Sequence, residues 1–157
     1  MAALATAQRG YNYFQIKSSF YAEGASRGSP YTINYDRIFR YGDILSYSYR
    51  VGLAYARSRA SLPFGMNVFT SEGRHHTEFC ALIVPSVQTT YKNIKPTDAA
   101  GHFIGTLGYR YQNMEFPGLF LRAGLGLMFI ADPPITSVRR LLHPYGYASI
   151  SLGYTLK

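Results

Sequence analysis

Hydrophobic and polar positions alternate along most of this chain with a period of two. In its final stretch Ala148, Ile150, Leu152, Tyr154 and Leu156 fall on one face, and Tyr147, Ser149, Ser151, Gly153 and Thr155 on the other. That is the pattern of a strand with one apolar and one polar side. The same period predicts strands near 11–23, 30–40, 45–56, 62–70, 76–86, 102–112, 118–130 and 145–157. The connections 41–44, 71–75 and 113–117 are tight, whereas 24–29, 57–61, 87–101 and 131–144 include the two longest, so short turns share one rim and longer loops the other. Outer-membrane barrels have this asymmetry. The expected fold is therefore all-β, an eight-stranded antiparallel up-and-down transmembrane β-barrel in which residues 11–157 form a single domain.

Assigning faces decides what the barrel encloses. One side carries Phe14, Ile16 and Phe20, then Leu45, Tyr47, Tyr49, Val51, Leu53 and Tyr55, and later Leu119, Leu121, Ala123, Leu125, Leu127 and Phe129. The opposite side carries Lys17, Glu23, Asp36, Arg50, Glu78, Arg110 and Arg122, padded by Gly52, Gly65, Gly108, Gly124 and Gly126. So many charges do not suit an apolar ligand cavity. They suit the narrow polar lumen of a membrane barrel, where opposite charges must neutralise one another. Glycine beside long arginine side chains fits a small lumen. Tyr35, Tyr47, Tyr55, Tyr111 and Tyr154 near strand ends are expected to form interfacial girdles. The absence of tryptophan has no explanation in this pattern.

Composition narrows the picture without changing it. With 15 Tyr, 10 Phe and only 15% charged residues, the chain favours sheet. Its longest apolar run, residues 118–130, is interrupted by Arg122 and falls short of the roughly 20 residues that a membrane-spanning helix needs. A lone cysteine, Cys80, excludes an internal disulfide and a cysteine-based zinc site. Residues 1–10 contain Ala-x-Ala-like spacing and are read as the remnant of an export signal or a disordered terminus.

Several stretches also carry a resemblance. Ser19-Phe-Tyr-Ala-Glu-Gly24, Tyr31-Thr-Ile-Asn-Tyr-Asp-Arg37, Leu62-Pro63, Gly105-Thr-Leu-Gly-Tyr-Arg-Tyr-Gln112, Leu119-Phe-Leu-Arg-Ala-Gly124 and Ser149-Ile-Ser-Leu-Gly-Tyr154 resemble outer-membrane β-barrel proteins of Bacteroidetes-type bacteria. The resemblance implies an eight-stranded barrel similar in architecture to that of outer membrane protein A, residing in the bacterial outer membrane. It implies no catalytic residues. The chain departs from the pattern at its end, Leu156-Lys157, where substrates of the barrel-insertion machinery usually carry an aromatic residue.

Candidate chemistry is sparse. His75 and His76 lie near Ser71, Glu72 and Glu78 at an expected tight turn, where a solvated pair is the ordinary outcome. A lipid-modifying hydrolase using Ser71 with either histidine is an alternative reading, and a soluble lipocalin-like binding barrel with reversed sidedness is another. The net charge of +8 is spread along the chain. Arg57, Arg59, Lys92, Lys95, Arg139 and Arg140 gather on the long-loop rim, where they would meet lipopolysaccharide phosphates. No nucleic-acid surface, metal-ligand spacing or cofactor motif is present, and an unidentified protein partner is left open. The expectation is a non-enzymatic outer-membrane barrel with a charge-plugged lumen, structural or accessory in role and closed to ions.

Overall fold

The computed structural model describes residues 15–27, 30–56, 59–88, 99–131 and 144–157. Its strands are β1 (Ser18–Ala25), β2 (Tyr31–Arg40), β3 (Leu45–Ala56), β4 (Arg59–Ser61), β5 (Phe64–Thr70), β6 (His75–Gln88), β7 (Ala99–Gln112), β8 (Leu119–Ala131) and β9 (Tyr145–Leu156). Every pairing is antiparallel, and β1 closes the sheet by pairing with both β2 and β9. The short β4 and β5 both lie between β3 and β6, so together they make one strand of a closed eight-stranded barrel.

The break between β4 and β5 is set by Pro63, which lacks an N–H to donate to the ladder. Flanking groups keep the seam joined: Leu62 N donates to Pro85 O at 2.9 Å, and Gly52 N to Pro63 O at 2.7 Å. A bulge between Ile38 and Arg40 inserts an extra residue into β2. It turns Arg40 outward, where its guanidinium lies 5.9 Å from the Tyr47 ring. Elsewhere the pleat runs undisturbed and sorts the side chains into two faces.

Those faces are inverted relative to a soluble domain. Leu125 is 70% exposed and Ile150 69%, while Arg50 is 1% and Arg110 0% exposed. Leu107, Leu125 and Ala148 face one another across β7, β8 and β9, building the outer apolar band expected of a membrane barrel. A lipocalin-like barrel would place these leucines inside and the arginines in water, so that alternative is excluded by sidedness.

Two expectations about β1 need correction. The strand begins at Ser18, and residues 15–17 are not part of it. Gln15 N and Ile16 N both donate to Met114 O, at 3.1 and 3.2 Å, and the Tyr41 hydroxyl donates to Ile16 O. The chain therefore swings across the short-turn end of the barrel and reverses its parity: Ile16 is fully buried and Lys17 is exposed. Two of the glycines, Gly108 and Gly126, have a different reason from the one expected. A Cβ on Gly108 would strike Ala123 O, and one on Gly126 would strike Gly105 O, so at both places β7 and β8 coil too closely to admit a side chain.

Candidate functional site

The lumen is filled in layers along the barrel axis. At the short-turn end Ile38, Phe69 and Met114 pack together with Tyr41. Toward the long-loop end Cys80, Leu82, Val84, Ile104, Met128 and Tyr147 form a second apolar cluster. Between the two lies a continuous network of buried charge.

Arg110, on β7, is its most heavily partnered member. Its guanidinium donates to Glu78 Oε2 at 3.0 Å, to both Asp36 oxygens at 3.4 Å, and through Nε to Gln112 Oε1 at 2.8 Å. The Phe69 and Phe120 rings lie 4.2 and 4.9 Å from the guanidinium carbon, so the flat cation is also held by aromatic faces. Glu78 uses its other oxygen on Arg122 Nε at 2.7 Å. One carboxylate from β6 thus joins neighbouring strands β7 and β8. Arg122 donates onward to the Tyr21 hydroxyl at 3.1 Å, and the Tyr21 ring lies 5.4 Å from the Arg50 guanidinium.

Arg50, on β3, completes the chain of contacts. It donates to Glu23 Oε1 at 2.6 Å and to Asn34 Oδ1 at 3.0 Å. Glu23 also accepts from Ser151 Oγ at 3.0 Å and from the Tyr147 hydroxyl at 3.4 Å. Asp36 accepts from Ser48 Oγ at 3.1 Å and Asn67 Nδ2 at 2.5 Å. Such saturation is what a buried ion needs, because an unpaired one costs several kcal/mol.

Of the seven residues expected to share the lumen, Glu23, Asp36, Arg50, Glu78, Arg110 and Arg122 are brought together there. Lys17 is not, because of the parity reversal before β1. Its departure matters for charge balance: three arginines now face three carboxylates, and the buried set is neutral. Of the cations assigned to the long-loop rim, Arg57, Lys92, Lys95, Arg139 and Arg140 lie outside the described residues, while Arg59 stands at the start of β4. The apolar lumen residues were not anticipated, although Leu82 and Val84 continue the parity of Glu78, and Ile104 that of Arg110. Following parity through the change from charged to apolar would have found them.

The histidine cluster does not form a serine–histidine pair. Ser71 and Ser46 hydroxyls bond to each other at 2.8 Å, both fully buried. His76 Nδ1 lies 2.5 Å from Thr70 O and its Nε2 3.3 Å from Gln112 O, so both ring nitrogens meet carbonyls. His75 bonds the Tyr109 hydroxyl at 2.5 Å on the barrel exterior. Among the described residues no group of histidine, cysteine and carboxylate side chains could hold a metal ion.

This geometry defines an outer-membrane-type barrel, a closed eight-stranded sheet with an apolar exterior and a polar, charge-paired interior. Among solved structures the chain is similar to the N-terminal β-barrel domain of Pseudomonas aeruginosa OprF, with a TM-score of 0.55, 12% identity, and coverage of 90% of this chain and 98% of that one. It is also similar to the outer membrane enzyme PagL, with a TM-score of 0.43, 12% identity, and coverage of 89% and 98%. No protein-family model matches, and no curated protein is similar in sequence. The narrower Bacteroidetes-type resemblance therefore rests on the quoted stretches alone. The expectation of a non-enzymatic chain is withdrawn, since an outer membrane enzyme stands among these structures. At that level of likeness PagL assigns this chain no activity either.

Proposed function

We propose that the chain spans the bacterial outer membrane as a closed barrel whose lumen is plugged, with a structural or accessory role and no open path for ions. The single observation that carries this reading is the neutral network of Glu23, Asp36, Arg50, Glu78, Arg110 and Arg122, capped on both sides by apolar clusters. Charges that are paired and hydrogen-bonded across the axis leave ions neither a hydrated passage nor a free fixed charge to exchange with. The space among Glu23, Arg50, Leu82, Ile104 and Tyr147 amounts to about 10 Å³, roughly what a single water occupies. Residence in the outer membrane is supported by the outward apolar band and by the fold shared with the OprF barrel domain.

Single-channel recording in planar bilayers tests the proposal. The folded chain is expected to give no steady conductance above the bare membrane. A large, sustained open level would overturn the plugged-lumen reading.

A further inference from the structure

Lys17, once outside the lumen, stands in a particular place. Lys17 N donates to Leu156 O at 3.0 Å and its carbonyl accepts from Ile38 N at 2.8 Å, which sets it between β9 and β2 at the short-turn rim. One register step away, Ser18 pairs with Arg37 on one side and Leu156 on the other, so Arg37 and Lys157 flank the same edge. Lys17, Arg37 and Lys157 are all exposed. Among the described residues none of them has an ion-pair partner. The carboxylates of this rim, Asp43, Glu72 and Glu115, lie in the turns.

Directly toward the membrane centre from these cations is an aromatic row. Phe20 pairs with Tyr35 on β2 and with Tyr154 on β9, and the Phe20 and Tyr35 rings are 4.9 Å apart. Aromatic side chains of this kind settle at the level of lipid headgroups. The cations one step further out then lie where phosphates are found.

We propose that the seam of β9, β1 and β2 at the short-turn rim is a docking surface for the headgroups of anionic phospholipids in the leaflet on that side. The proposal rests on the membrane-spanning reading above. Unpaired cations next to an aromatic anchor row, continuous with the apolar band, match a negatively charged headgroup with its acyl chains running along the barrel wall. A zwitterionic headgroup offers the same phosphate but cancels its charge with its own ammonium.

The test compares spin-labelled phosphatidylglycerol with spin-labelled phosphatidylcholine in vesicles containing the folded chain, reading the motionally restricted fraction of each. The expected result is a several-fold preference for phosphatidylglycerol that collapses at high salt. It should be lost in the Lys17→Gln, Arg37→Gln, Lys157→Gln variant and kept in Arg59→Gln on the opposite rim. Equal retention of the two lipids by the wild type overturns the proposal, as does a preference that survives the triple change or falls equally with Arg59→Gln. Protease protection in purely zwitterionic vesicles is read alongside. Failure to insert there would overturn the membrane reading itself, whereas insertion without lipid preference overturns the docking surface alone.

Discussion

The two halves of the lumen fill the same narrow space by different means. Toward the long loops, Leu82, Val84, Ile104 and Met128 pack as an ordinary apolar core. Toward the short turns, Arg110, Arg122, Glu78 and Asp36 occupy the axis as a hydrogen-bonded network between the Phe69 and Phe120 rings. Beside the apolar residues of the first half sits one ion pair, Arg50 with Glu23, to which the Tyr147 hydroxyl also donates, so there apolar side chains do most of the filling. What charge adds in the second is direction: Arg110 on β7 reaches Asp36 on β2, a strand it does not neighbour in the sheet. Apolar contacts tolerate sliding and repacking. A guanidinium shared between two carboxylates fixes which residues of which strands must face each other.

The strongest way to break this comparison is Glu78→Ala. Removing the carboxylate that joins Arg110 and Arg122 leaves buried cations short of their partner, which should cost about 3–5 kcal/mol. Urea titration of the folded barrel measures it, and a loss well under 1 kcal/mol would mean that the charged half fills space and nothing more. Changing Glu78 and Arg110 together leaves Arg50 and Arg122 against Glu23 and Asp36, two charges of each sign. The double variant should therefore lose less than the sum of the two single ones.

A substitution on the outer face comes next. Leu125→Arg puts a cation in the middle of the apolar band, and should cost roughly 2–4 kcal/mol in a lipid bilayer. The same titration in lipid reads it, and a neutral outcome would show that Leu125 does not face hydrocarbon. The smallest effect is expected from Leu82→Ala in the apolar half. It should cost about 2 kcal/mol, at the low end for a buried leucine, because it removes apolar contacts and strands no charge. If it costs as much as Glu78→Ala, the two halves are equally specific and the contrast fails.

How much of this could be read from the residues depended on whether the period of two continued unbroken. The strand over 45–56 coincides with β3, since nothing interrupts the alternation from Leu45 to Ala56. The alternation runs past the true start of β1 because Ile16 and Lys17 continue it where the chain has already turned across the barrel end, held by Met114 O from a distant turn. No local signal carries that contact. The strand expected over 62–70 runs through Pro63 and leaves 57–61 as a loop, whereas Arg59–Ser61 is strand and the ladder breaks at Leu62-Pro63. Glu23, Asp36, Arg50, Glu78, Arg110 and Arg122 could be placed on one face because parity alone decides it. Their partners could not, since which carboxylate meets which arginine is set by stagger between strands far apart in sequence.

That separation bears on how the molecule can be assembled. Arg110 and Asp36 are 74 residues apart, and Ser151 and Glu23 are 128 apart. Until β9 meets β1, the ends of the network belong to an open sheet, and its charges would face hydrocarbon if that sheet entered a bilayer early. On the membrane-spanning reading, hairpins inserted before the β1–β9 seam is made would carry the cost of their own unpaired arginines. Contacts so distant along the chain form slowly. The ion pairs that hold the finished lumen shut thus tie the burial of its charges to closure of the whole ring.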